Sequence, residues 1–102
     1  MTLSTPDVPL HDGTTIPQFG LGVFQMTEAE AEAAVGVAIR AGYRLVDTAA
    51  GYENETAVGR ALASLGRRDV YVTTKLANDD HGHDSALAAF DTSIGRLGLE
   101  TL

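Results

Sequence analysis

Short apolar segments alternate with segments of helical period along most of this chain, and each helical segment stops at a glycine. Residues 19–24, FGLGVF, read as a short buried strand bounded by glycines. A helix is predicted next. Thr27 suits its N-cap, Glu30 three positions on completes a capping-box pattern, and Ala31, Ala34, Val35 and Ala38 share one face before Gly42 ends it. Residues 43–47 form a second apolar strand, and a second helix is predicted from about Asn54 to Leu65 with Val58, Ala61, Leu62 and Leu65 on its buried face. Residues 70–75 are β-branched and aromatic, as a third strand should be. Asp84 or Ser85 would cap a third helix that turns Leu87, Phe90, Ile94 and Leu97 inward and ends at Gly98, and a fourth strand is expected to begin about Leu102. Strict alternation of this kind requires a parallel sheet with helices outside and right-handed crossovers, an α/β fold. The units recur every 25–30 residues or so, which suits βα units better than a helical solenoid.

Ahead of these units lies a hairpin signal. Residues 8–11 and 14–16 read as strands around Asp12-Gly13, a two-residue turn at which both positions accept positive φ, and Pro17 closes the second strand. The chain's 102 residues allow one domain, and 44% hydrophobic with 21% charged residues is ordinary globular composition. Its net charge of −7, with Arg67-Arg68 the densest basic spot, argues against nucleic-acid binding and against an acidic membrane surface. No cysteine is present, which excludes disulfides and thiolate metal sites. The first ten residues lack a basic and apolar leader, and no apolar run spans a bilayer, so a soluble cytoplasmic protein is expected.

Asp47 ends the second predicted strand, Tyr52 follows in the loop, and Lys75 ends the third strand. Parallel α/β folds gather ligands at the carboxyl ends of strands, so the three side chains converge on one rim if those strands are neighbours. A phenol is a poor acid at neutral pH, and an ammonium beside it stabilises the phenolate. With Asp47 holding Lys75, Tyr52 would act as general acid toward an oxygen that gains charge during reduction. The Tyr52 hydroxyl and the Lys75 ammonium are then expected within direct or one-water hydrogen-bond reach, with Asp47 on the other side of Lys75. Taken singly, each residue has an ordinary alternative: a tyrosine packing in a loop, a solvated lysine, an aspartate capping a turn.

The run GYRLVDTAAGYENETAVG, residues 42–59, resembles the first signature of the aldo-keto reductases along its whole length. Residues 72–76 (VTTKL) resemble the strand that carries that family's lysine, residues 20–25 (GLGVFQ) its first strand and loop, and residues 84–99 the helix after the lysine strand. The resemblance covers nearly the whole chain, including the hairpin that in this family caps the bottom of the barrel. It implies a partial (β/α)₈ TIM barrel, a hairpin plus about three βα units, and NADPH-dependent (NADP⁺) reduction of a small-molecule carbonyl to an alcohol. It also implies Tyr52 as proton donor, Lys75 as the residue that makes that phenol more acidic, and Asp47 as the carboxylate that pairs with the lysine and lies beside the nicotinamide ribose. Gly22 and Val23 match loop positions beside the cofactor, and Phe24 an aromatic wall of the substrate pocket.

The sequence departs from the family pattern at three places. Val23 stands where many members have threonine, Ala77 where many have an aromatic residue, and the family's histidine follows a fourth strand that begins about where residue 102 stands. Since a whole barrel takes about 250 residues, the chain reads as the N-terminal fragment of a reductase domain, and one inactive by itself. The rival is a non-catalytic remnant or association module, and the fragment is expected to self-associate. Residues 79–84, DDHGHD, read as a solvated loop at the rim rather than a metal site, and Gly20-Leu21-Gly22 lacks the third glycine of a dinucleotide fingerprint.

Overall fold

The computed structural model describes residues 4–66 and 69–102; Arg67 and Arg68 lie outside the described residues. Strands β1 (Asp7–Pro9) and β2 (Thr15–Pro17) pair antiparallel, and strands β3 (Leu21–Gly22), β4 (Leu45–Asp47) and β5 (Tyr71–Thr73) form a parallel sheet in that order. Helices α1 (Glu28–Ala41) and α2 (Glu55–Leu65) cross between successive sheet strands, and α3 (His83–Leu97) follows β5. This is the α/β alternation read from the sequence.

The capping box at Thr27 is formed in full: the Glu30 amide donates to Thr27 Oγ1 (3.2 Å) and the Thr27 amide donates to Glu30 Oε1 (2.9 Å). Gly42, Gly66 and Gly98 close the three helices in the left-handed conformation. The hairpin differs from its prediction. Its loop has three residues, His11-Asp12-Gly13, closed by the Leu10 amide on the Thr14 carbonyl (2.7 Å), and only Gly13 takes positive φ. That is a turn followed by a left-handed glycine, with Asp12 Oδ1 accepting from the Thr14 amide and hydroxyl in place of a two-residue turn. Pro17 is the last laddered residue of β2 rather than the residue after it, paired with Asp7.

The parallel strands are shorter than their apolar runs, because a ladder persists only while both neighbours stay extended. The chain after β4 enters the 3-10 turn at Ala50, so the ladder stops at Thr73, although the Thr48 amide donates to the Thr73 carbonyl (2.9 Å) and the Ala50 amide to the Lys75 carbonyl (3.2 Å). Register sorts the sheet into two rows. Leu21, Val46 and Val72 align in one row, and Gly22, Asp47 and Thr73 in the next. Val46 and Val72 face the helices and join Val35, Ile39, Val58, Leu62 and Leu97 in the core. The second row lies on the face that the helices leave open.

α2 packs between α1 and α3. At Gly59 an added Cβ would stand 2.7 Å from the carbonyl oxygens of Arg96 and Leu97, so this glycine sets how closely α2 and α3 approach. α3 corrects its prediction: Gly82 is its N-cap, and Ser93 and Leu97 are its buried residues, whereas Leu87 and Phe90 are exposed. Its closest approach to α2 is at its carboxyl end, where Arg96 and Leu97 meet Gly59, and its buried residues lie in that half. The hairpin is tied to the amino end of β4, where Arg44 donates to the Thr5 carbonyl (3.3 Å) and to Asp7. It therefore sits at the end of the sheet opposite Asp47.

Candidate active site at the carboxyl end of the sheet

Period-two alternation at the end of β5 sends Thr73 and Lys75 to the open face and Thr74 to the helix face. Lys75 Nζ donates to Asp47 Oδ2 (2.7 Å) and to the Thr48 carbonyl (3.1 Å), and Thr73 Oγ1 donates to the other Asp47 oxygen. Tyr52 stands on a 3-10 turn, Ala50–Tyr52, immediately after β4. Its ring lies beneath the Lys75 ammonium, 5.1 Å from Nζ to the ring centroid, which is cation–π distance. Phe24 packs against the same ring at 5.1 Å between centroids and 52° between planes, with most of its own surface exposed. The three residues singled out for chemistry thus share one rim with the aromatic residue read as a pocket wall.

The electrostatics follow from these contacts. Partial burial pushes the Asp47 carboxyl up, but hydrogen bonds from Lys75 and Thr73 together with the Lys75 charge outweigh it and hold the group below its ordinary value. The Asp47 hydrogen bond raises Lys75 above the ordinary lysine range, against some desolvation and with a contribution from Tyr52. Lys75 is thereby held as a cation.

The row that contains Asp47 begins at Gly22, where an added Cβ would meet nothing within 4 Å, so the flank of the carboxylate is open to a ligand. Val23 is placed differently. Its side chain is fully buried, its amide donates to the Asp47 carbonyl (3.2 Å), and its carbonyl accepts from the Asn54 side chain (3.0 Å) and the Met26 amide (3.2 Å). Val23 is thus engaged in the fold through its side chain, amide and carbonyl, while Gly22 and the Asp47 carboxylate present open surface at the rim. Among the described residues no group of three or more His, Cys, Asp or Glu side chains gathers as metal ligands would.

Two residues the sequence reading passed over are central to this rim. Asn54 and Glu55 open α2 and are buried, at 1% and 2% exposure. Asn54 makes no side-chain cap to its own helix. Its amide nitrogen donates to the carbonyls of Val23 and Met26 (3.2 Å to Met26), and its oxygen accepts from Thr48 Oγ1 (2.7 Å), locking the loop after β3 to the loop after β4. Glu55 accepts from Thr74 Oγ1 (2.8 Å). Polar residues at a helix start ordinarily read as caps, which hid both. Gln25 (φ 61) and Glu53 (φ 60) are left-handed without being glycine, and each directly follows one of the two rings packed together at the rim, Phe24 and Tyr52.

The Aldo/keto reductase family model matches residues 16–102. An aldo-keto reductase of Mycolicibacterium smegmatis is 52% identical over 96% of this chain and 36% of its own length, and morphine 6-dehydrogenase of Pseudomonas putida is 46% identical over 98% of this chain and 34% of its own. Among solved structures, an aldo/keto reductase from Brucella melitensis superposes with a TM-score of 0.92 at 48% identity, covering 96% of this chain and 39% of that one. A Bombyx mori aldo-keto reductase in complex with NADP superposes at 0.91 with 37% identity, over 99% of this chain and 37% of that one. The chain spans about a third of the length of the relatives it matches, and its fold is the corresponding part of their (β/α)₈ barrel. The chain belongs to the aldo/keto reductase family.

Proposed function

We propose that this chain supplies the proton-donating rim of an NADPH-dependent reductase that converts a small-molecule aldehyde or ketone to its alcohol in the cytoplasm. The observation that carries this reading is the Asp47–Lys75 ion pair with the Tyr52 ring beneath its ammonium. When bound, the reduced nicotinamide supplies a hydride to the carbonyl carbon. The Tyr52 hydroxyl gives its proton to the carbonyl oxygen, and the Lys75 charge stabilises the phenolate left behind. Asp47 keeps Lys75 charged and aimed at the ring. The donor set fits the nicotinamide end of the cofactor: the Asp47 carboxylate can accept from a ribose hydroxyl, and Gly22 leaves its flank open. Phe24, exposed and stacked on Tyr52, suits one wall of an apolar pocket.

The test places residues 1–102 in a complete barrel. A chimera in which they replace the matched segment of the Mycolicibacterium smegmatis relative should oxidise NADPH when given an aldehyde. Lys75→Met in that chimera should lower kcat by about 10²-fold or more, the usual scale of assisted proton transfer. A folded chimera that binds NADPH yet reduces no aldehyde contradicts the reading.

A further inference from the structure

Glu55 is a costly residue where it stands. Its side chain is 1% exposed, and one carboxylate oxygen, Oε1, has no hydrogen-bond partner. Only Oε2 is satisfied, by Thr74 Oγ1 (2.8 Å), while Arg96 Nη1 approaches Oε1 at 3.5 Å from α3. A carboxylate in the first turn of a helix is favoured by the macrodipole, but that effect operates equally well from an exposed side chain. Burial between β5 and α3 is what the macrodipole leaves unexplained, since burying an incompletely paired carboxylate opposes folding.

The position of Thr74 supplies the reason. It precedes Lys75 and projects to the helix face, while Thr73 and Lys75 both reach Asp47 on the open face. Thr73 is held in the β5 ladder, but beyond it rotation of the segment about its own axis would carry the Lys75 side chain away from Asp47. The Glu55–Thr74 hydrogen bond opposes that rotation from behind, and Arg96 anchors Glu55 in turn. We propose that Glu55 is a positioning residue: held by Arg96 and bonded to Thr74, it fixes the orientation of the segment after β5 and so keeps the Lys75 ammonium on Asp47 and over the Tyr52 ring. The role in catalysis rests on the reading of Lys75 given above; the positioning of Lys75 does not.

Lys75 is the sole lysine of residues 1–102, so in the ¹⁵N-lysine-labelled chimera its side-chain signal is the one lost in Lys75→Met. In the unsubstituted chimera that signal should titrate above the ordinary lysine value. Thr74→Val, which keeps the shape and removes the hydroxyl, should move the titration back toward that value. Thr74→Ser, which keeps the hydroxyl, should leave it in place. Glu55→Gln should act like Thr74→Val, and the Thr74 pair decides the matter if that variant fails to fold. In the chimera, Thr74→Val should lower kcat about tenfold, with KM for the aldehyde and the NADPH dissociation constant within about twofold of the parent. A Lys75 signal that titrates at the ordinary value in the unsubstituted chimera, or that ignores Thr74→Val, overturns the proposal. A chimera without reductase activity would instead count against the reductase reading and leave the titration result standing.

Discussion

Asp47 and Lys75 are each about half exposed, so their ion pair serves geometry more than stability, with about 0.2–1 kcal/mol expected from such a pair. The pH dependence of that small contribution follows from the two shifts. Asp47 lies below its ordinary value of 3.8, so its contribution is present above that pH and lost as pH falls through the lowered value. Lys75 lies above its ordinary value of 10.5, so its contribution is present below that pH and lost as pH rises through the raised value. Urea unfolding of the chimera and its Lys75→Met form should therefore show a small stability difference near neutral pH that vanishes in acid. A difference that grows in acid would mean that Lys75 is not paired with a carboxylate. Asp47, Tyr52 and Lys75 were legible because strand ends in a parallel sheet point to one rim, and because the signature run holds Asp47 and Tyr52 and the VTTKL segment holds Lys75. Asn54 and Glu55 were not, because their partners, Val23, Met26, Thr74 and Arg96, come from segments that only the fold brings together.

At the scale of elements, α2 is the hinge of the arrangement. Its first two residues hold the rim loops, and Gly59 on a later turn lets α3 approach. Gly59→Ala would put a methyl 2.7 Å from two backbone oxygens, and backbone cannot yield as a side-chain tip does. The expected loss is about 1–3 kcal/mol despite the better helix propensity of alanine, measured by denaturant unfolding. A stabilised Gly59→Ala protein would show that the α2–α3 contact is looser than described. The start of α1 and the carboxyl ends of all three helices were well marked in the sequence, since Thr27, Gly42, Gly66 and Gly98 act through local backbone chemistry, whereas the start of α3 at Gly82 was not. Strand limits were not: an apolar run says which residues can pair, and the neighbour decides where pairing stops, as at Thr74. The predicted burial of Leu87 and Phe90 failed for the same reason, because periodicity gives the stripe of α3 and not the length of its contact.

On the scale of the whole molecule, β3 and β5 each have one sheet neighbour among the described residues, and helices cover one face. Tyr71, Leu87 and Phe90 are exposed apolar surface beside that open sheet. A polypeptide of these 102 residues alone is therefore expected to self-associate or to lose fixed side-chain packing, as unpaired edges and apolar patches dictate. Light scattering on a sizing column with near-UV circular dichroism reads this out, and a monodisperse monomer with a sharp spectrum would contradict it. Placed in a complete barrel, the same residues should form a working rim. The account turns on Tyr52 as the proton donor, and the most direct measurement is kcat for aldehyde reduction by the chimera with Tyr52→Phe, which removes the hydroxyl and keeps the ring under Lys75 and against Phe24. The predicted result is a fall in kcat of about 10²–10⁴-fold with the NADPH dissociation constant unchanged; a Tyr52→Phe enzyme that retains the parent kcat would contradict it.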